Sequence, residues 1–256
     1  MGAGGGANRA AGKRGRVATF ILVHGAFHGA WCFAKLVPAL AARGHRAVAI
    51  DLPGQGDDLT PPGDCTLDGN ARRIVAALAA EPGPAVLVGH SLGGVSIAAA
   101  AEMAPERVRR LVFLCAFLLP DGESAVTVSR WPEAGRSDGP PAFVRAADGL
   151  SVSVVPERAA GLFYSDCDPA DIADALQRLR PQPRAIQTTA VRLTPERYGS
   201  VPRAYVECRA DRTIPIGLQC AMVAASPCDP VLSLPGGHSP FLSVPDALAE
   251  VLAGLP

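Results

Sequence analysis

The chain has 256 residues, 24 Lys+Arg against 24 Asp+Glu, and 48% apolar residues, so its formal net charge is zero. That balance argues against nucleic-acid and anionic-membrane partners, which are held by excess positive charge. The length suits one large α/β domain or two small ones, with enough chain to bury a substantial core.

Residues 1–16, MGAGGGANRAAGKRGR, offer almost nothing to bury and are expected to form a disordered leader. The apolar run at 17–23 is too short for a signal-peptide core or a bilayer span, so a cytoplasmic location is expected. That run reads as a buried strand, followed by a helix over 31–43 closed by Gly44. Further strands are expected at 47–50, 85–88, 111–117, 204–208 and 231–234. Helices are expected at 67–80, 92–103, 215–225 and 245–255. Short continuous apolar strands alternating with helices predict an α/β fold: a mostly parallel six-stranded sheet with helices on both faces. Residues 17–120 and 201–256 form this core in the reading. Residues 121–200, rich in Pro, Gly and Asp with helical pieces such as 169–179, are too long for a loop and predict a helical cap over the strands' carboxyl ends.

Of the 24 basic residues only Lys13 and Lys35 are lysine. So arginine-heavy a composition points to GC-rich coding sequence, and single arginines are discounted as functional signals. The seven cysteines form no CxxC pair, and no His-rich cluster accompanies them, so no metal site is expected. Cys115 and Cys208 lie in apolar runs and read as buried thiols in a reducing compartment.

The chemical signal is Gly89-His90-Ser91-Leu92-Gly93. This G-x-S-x-G pattern falls between an apolar strand and a small-residue helix, the setting of a nucleophile elbow. Ser91 is the expected nucleophile. His238, in LPGGHSPF after the last strand, is the expected base, since the triad order Ser…Asp…His places it late in the chain. Asp211, just past the strand at 204–208, is the expected acid. Asp121, also beyond a strand end, is its rival, and Glu207 is a poorer one. The backbone N–H groups of Leu92 and of Ala26, in His24-Gly25-Ala26-Phe27, are the expected oxyanion donors. His24 and His28 are expected to shape the pocket, and His45 to sit inertly at a surface helix end.

The segments FILVHGAFHGAWCFAKL, VLVGHSLGG, AYVECRADRTIP and LPGGHSPFLSVP resemble the α/β-hydrolase superfamily. More narrowly they resemble its branch of plant methylesterases, hydroxynitrile lyases and bacterial esterase relatives. The resemblance covers about two-thirds of the chain. It implies the same triad and oxyanion donors; a small-molecule ester substrate and no cofactor are expected. Phe27 and the cap residues Trp131, Phe143, Phe163 and Tyr164 are candidate pocket residues. The lyases of this branch carry a threonine in the first loop and a lysine directly after the catalytic histidine. Here those positions hold Gly25 and Ser239, so cyanohydrin cleavage is not expected.

The leading expectation is a serine hydrolase cleaving a carboxylic ester of a small, largely apolar metabolite. The alternatives are a lyase using the same triad to eliminate a carboxylate, such as acetate, and a small-molecule receptor with weak turnover. A homodimer is compatible with the sequence, which does not fix the oligomeric state.

Overall fold

The computed structural model describes residues 17–135 and 141–256. The leader expected at 1–16 lies outside the described residues. Six strands form the main sheet: β1 (Thr19–Val23), β2 (Arg46–Ile50), β3 (Ala85–His90), β4 (Val108–Leu114), and later β8 (Arg203–Cys208) and β9 (Val231–Leu234). Between these two groups come three short strands, β5 (Phe143–Arg145), β6 (Ser151–Val154) and β7 (Gln182–Pro183). The main sheet runs β2-β1-β3-β4-β8-β9, and every neighbouring pair in it is parallel.

Strands buried on both faces explain the continuous apolar runs. Ile21, Val23, Leu87, Leu111, Phe113 and Tyr205 face a core layer built with the helices Leu67–Ala79, Gly93–Met103 and Ile216–Ala225. Phe20, Leu22, Val86, Val88, Val112, Leu114 and Val206 face a second layer with the helices Leu36–Ala41 and Pro245–Ala253. Successive side chains alternate between layers, as the period of two requires. The helix Leu67–Ala79 shows the complementary period. It buries Leu67, Ala71, Ile74 and Leu78 along one stripe, and Thr66 caps it by accepting the Gly69 N–H at 2.9 Å. The helix Gly93–Met103 is apolar nearly all round because it is buried nearly all round.

Two core elements differ from the sequence reading. The helix expected over 31–43 is instead a 3₁₀ turn, Ala30–Phe33, followed by the α-helix Leu36–Ala41. Pro38 lacks the N–H that would bond the Ala34 carbonyl, so the helix cannot run through that point. β4 begins at Val108 and ends at Leu114, earlier than expected. Arg109 and Arg110 masked its start, and Cys115, with φ of 36°, ends it.

The insertion is not purely helical. It holds the helices Ala125–Val128, Pro156–Phe163, Pro169–Arg178 and Ala185–Thr188, but also the antiparallel sheet β5-β6-β7. β5 and β6 form a hairpin whose turn contains Asp148 and Gly149. Leu150 N–H donates to Asp148 Oδ1, and Gly149 takes φ of 72°. No helix among the described residues is long and apolar enough to cross a membrane.

Strand order reverses between β1 and β3. A parallel sheet opens a crevice at such a switch point, outside the carboxyl ends of its strands. The loop after β1 carries His24 to His28, and the turn after β3 carries Ser91. The turns after β8 and β9 carry Asp211 and His238.

Candidate active site

Ser91 sits at φ of 52°, a left-handed conformation that few non-glycine residues adopt. The turn that forces it is clamped by neighbours. Ser91 N–H donates to Leu114 O at 3.2 Å, and Phe117 N–H donates to Ser91 O at 3.0 Å. The flanking glycines are required by close approach. A Cβ on Gly93 would lie 2.6 Å from His24 O, and one on Gly89 would lie 2.8 Å from Ile97 Cδ1. The strain is held by packing on both sides of the turn, as strained functional residues require.

Three side chains from three strand ends meet. His238 Nε2 lies 3.0 Å from Ser91 Oγ, and His238 Nδ1 lies 2.7 Å from Asp211 Oδ2. Asp211 Oδ1 accepts the N–H groups of Thr213 at 2.7 Å and Ile214 at 2.9 Å. With both oxygens accepting, the proton between Asp211 and His238 sits on Nδ1. Nε2 therefore faces the Ser91 hydroxyl as an acceptor. Asp121 is elsewhere, accepting the Leu193 N–H at 2.8 Å. Glu207 accepts from Ser233 Oγ at 2.6 Å and Cys220 Sγ at 3.5 Å, away from the histidine.

The triad opens into a cavity of about 410 Å³, lined in part by Ala26, Phe27, Leu92, Phe117, Phe143, Phe163 and Ile214. Among the described residues, the backbone N–H groups of Ala26 and Leu92 donate to no protein acceptor. Both residues line the cavity beside Ser91. Phe27 stacks between Phe143, at 5.7 Å, and Phe163, at 5.8 Å.

Other expected pocket residues lie elsewhere. His24 turns beneath the loop, where Nε2 accepts the Leu52 N–H at 3.2 Å and Nδ1 contacts Gly25 O at 2.8 Å. Trp131 packs against the core layer of the helix Ile216–Ala225 and does not line the cavity. Tyr164 is buried behind Phe163, its hydroxyl 2.7 Å from His28 Nε2. His45 is buried, not at the surface. Its Nδ1 accepts the Ala18 N–H at 3.3 Å, and its ring meets Phe20 edge-on.

The buried histidines brace the site. His28 Nδ1 donates to Ala26 O at 2.7 Å, so Nε2 accepts from Tyr164. Burial above all lowers its pKa to about 3, partly offset by that backbone bond. His90 points its Nε2–H at His238 O, 2.8 Å away. Burial, with His238 and His28 nearby, pushes its pKa well below the ordinary value. Burial likewise lowers the pKa of His24. All three rings act as fixed neutral dipoles. The loop bearing His238 is held from the insertion, where Asp166 Oδ2 accepts the Gly237 N–H at 2.7 Å.

His90, Cys115 and His238 bring donor atoms within 4.8 Å of one another. Both nitrogens of His238 are already engaged by Ser91 and Asp211, and His90 Nε2 is spent on a carbonyl. These contacts leave His238 with no free ring nitrogen. A metal could take this cluster only by breaking them.

Comparison with known proteins bears on the family and the fold. Residues 20–251 match the model of the alpha/beta hydrolase family. Methylesterase 1 of Arabidopsis thaliana is 33% identical over 90% of this chain and 93% of its own. The esterase PIR7B of Oryza sativa subsp. japonica is 32% identical over 91% of this chain and 93% of its own. The crystal structure of polyneuridine aldehyde esterase superposes with a TM-score of 0.83 at 28% identity, covering 94% of this chain and 99% of that one.

Proposed function

This chain belongs to the alpha/beta hydrolase family, and from that premise we propose that it hydrolyses a carboxylic ester, a methyl ester above all, of a small and largely apolar metabolite. The observation that carries the proposal is the hydrogen-bonded series Asp211–His238–Ser91, ending in a cavity walled by Phe27, Phe117, Phe143 and Phe163. The relatives named as methylesterases point to the small alcohol.

The geometry supports the following sequence. The ester enters the cavity with its carbonyl over Ser91. His238 Nε2 takes the hydroxyl proton as Ser91 Oγ attacks, and Asp211 stabilises the imidazolium without taking its proton. The N–H groups of Ala26 and Leu92 receive the charge that develops on the carbonyl oxygen, each worth about 3 kcal/mol of transition-state stabilisation. His238 returns the proton to the leaving alkoxide. Water, deprotonated by the same nitrogen, then releases the acid and regenerates Ser91.

The test is methanol release from a panel of methyl esters by the wild-type protein and by Ser91→Ala. Release that disappears with Ser91 supports the proposal. Release at an unchanged rate in Ser91→Ala refutes it.

A further inference from the structure

At the mouth of the cavity stand two polar side chains with no protein partner among the described residues, Arg130, which is exposed, and Gln187, which is half-buried. Its lining includes five such groups besides His238: Ser91, Ser129, Arg130, Gln187 and Thr213. Three are engaged. Ser91 is bonded to His238, Ser129 Oγ donates to Ala125 O at 2.7 Å, and Thr213 Oγ1 donates to Leu162 O at 2.9 Å. The Arg130 guanidinium and the Gln187 carboxamide make no side-chain hydrogen bond or salt bridge with the described residues. They belong to cap segments that pack together: Arg130 follows the helix Ala125–Val128, and Gln187 lies in the helix Ala185–Thr188. Among the described residues, no Asp or Glu lines the cavity.

Arg130 is exposed at the mouth of the cavity, where its pull on an anion is partly screened by water, and its planar donors match a carboxylate. A carboxamide can add a further donor. Resting on the esterase reading, we propose that Arg130 and Gln187 form a carboxylate subsite, so that the preferred substrate is a half-ester. In such a molecule one carboxyl group is esterified and presented to Ser91, and a second, free carboxylate is held by the cap. Hydrolysis would then release a dicarboxylic acid whose second negative charge gives it reason to leave an apolar pocket.

The test compares methyl hydrogen adipate with methyl hexanoate, which share chain length and differ in the distal carboxylate. The readout is the ratio of their kcat/KM values, measured by methanol release. The wild-type ratio should exceed one. Arg130→Met should lower it by about twofold to fivefold, the loss expected for a solvent-screened charged pair. Gln187→Leu should lower it less, and added salt should depress the wild-type ratio. Arg72→Met, which removes a surface cation paired with Asp68, should leave the ratio alone. A ratio below one in the wild type, or one unmoved by Arg130→Met, overturns the subsite. Binding to the Ser91→Ala protein separates the two readings. Tighter binding of the half-ester, lost in Ser91→Ala with Arg130→Met, upholds the subsite even if the wild type proves to be no esterase. Hydrolysis of both esters without discrimination upholds the esterase and removes the subsite.

Discussion

Replacing Asp211 with Asn keeps shape and reverses the chemistry of one edge. Asp211 Oδ1 accepts two backbone N–H groups, from Thr213 and Ile214, while Oδ2 meets His238. An Asn amide must therefore keep its oxygen on the two backbone donors and turn its NH₂ toward His238 Nδ1. The alternative orientation would leave two buried N–H donors facing an NH₂, at about 1–3 kcal/mol each. A penalty of about 2–6 kcal/mol leaves the catalytically useful orientation roughly 30-fold to 20,000-fold under-populated, at 1.4 kcal/mol per factor of ten. In the favoured orientation His238 protonates on Nε2 and can no longer take the Ser91 proton. Loss of the correct tautomer in a triad of this kind lowers kcat about 10,000-fold. Because Asp211 does not line the cavity, KM should hardly change. The assay is steady-state hydrolysis of a methyl ester by wild type and Asp211→Asn, with thermal unfolding to show that the fold survives. A kcat within tenfold of wild type would refute the assignment of Asp211 and the tautomer argument together.

Asp121→Asn, at the rival acid, should leave kcat within about twofold, since its carboxylate only accepts a loop N–H; a loss comparable to that of Asp211→Asn in the same assay would reverse the assignment. Gly25→Ala would place a Cβ 2.7 Å from Ser91 Cβ and 2.9 Å from His90 Nδ1. It should cost about 1–3 kcal/mol of stability and displace the nucleophile, read as a lower Tm together with lost turnover. Acid should unfold the protein through its buried histidines. With a folded pKa near 3 against 6.5 unfolded, His28 favours the unfolded state increasingly as pH falls through 6.5 toward 3. That amounts to about 1.4 kcal/mol per pH unit, or about 5 kcal/mol over the whole window, with His24 and His90 adding in the same direction. Urea titrations should show stability flat above pH 7 on this account and falling steeply below 6; equal stability at pH 7 and pH 5 would contradict it.

The core was legible because each of its signals is local. A strand buried on both faces must be apolar throughout, so Val86, Leu87 and Val88 announce β3 without reference to any partner. The elbow was legible because its glycines answer to close contacts, at Gly93 with the loop after β1 and at Gly89 with the helix that follows. The cap was less so. The hairpin of β5 and β6 carried an Asp-Gly turn signal and Val-Ser alternation, but Phe143, Val144 and Arg145 are all exposed, so no buried face marked the first strand. Pocket residues depend on which way a ring turns. Phe163 and Tyr164 are adjacent, yet Phe163 meets the cavity while Tyr164 reaches back to His28. Trp131 was the conspicuous aromatic, but its neighbour Arg130 is the side chain that lines the cavity. His24 and His28 sit on the same loop, and only the fold shows that His24 supports the turn after β2 while His28 holds the carbonyl of Ala26.

The most direct test of Ser91 as nucleophile is to trap its acyl-enzyme. The protein is quenched in acid during turnover of p-nitrophenyl acetate, digested and analysed by mass spectrometry. One acetyl group on the peptide containing Ser91, absent from Ser91→Ala and accompanied by loss of turnover in that variant, is the predicted result. Acetylation elsewhere alone, or undiminished turnover in Ser91→Ala, would contradict it.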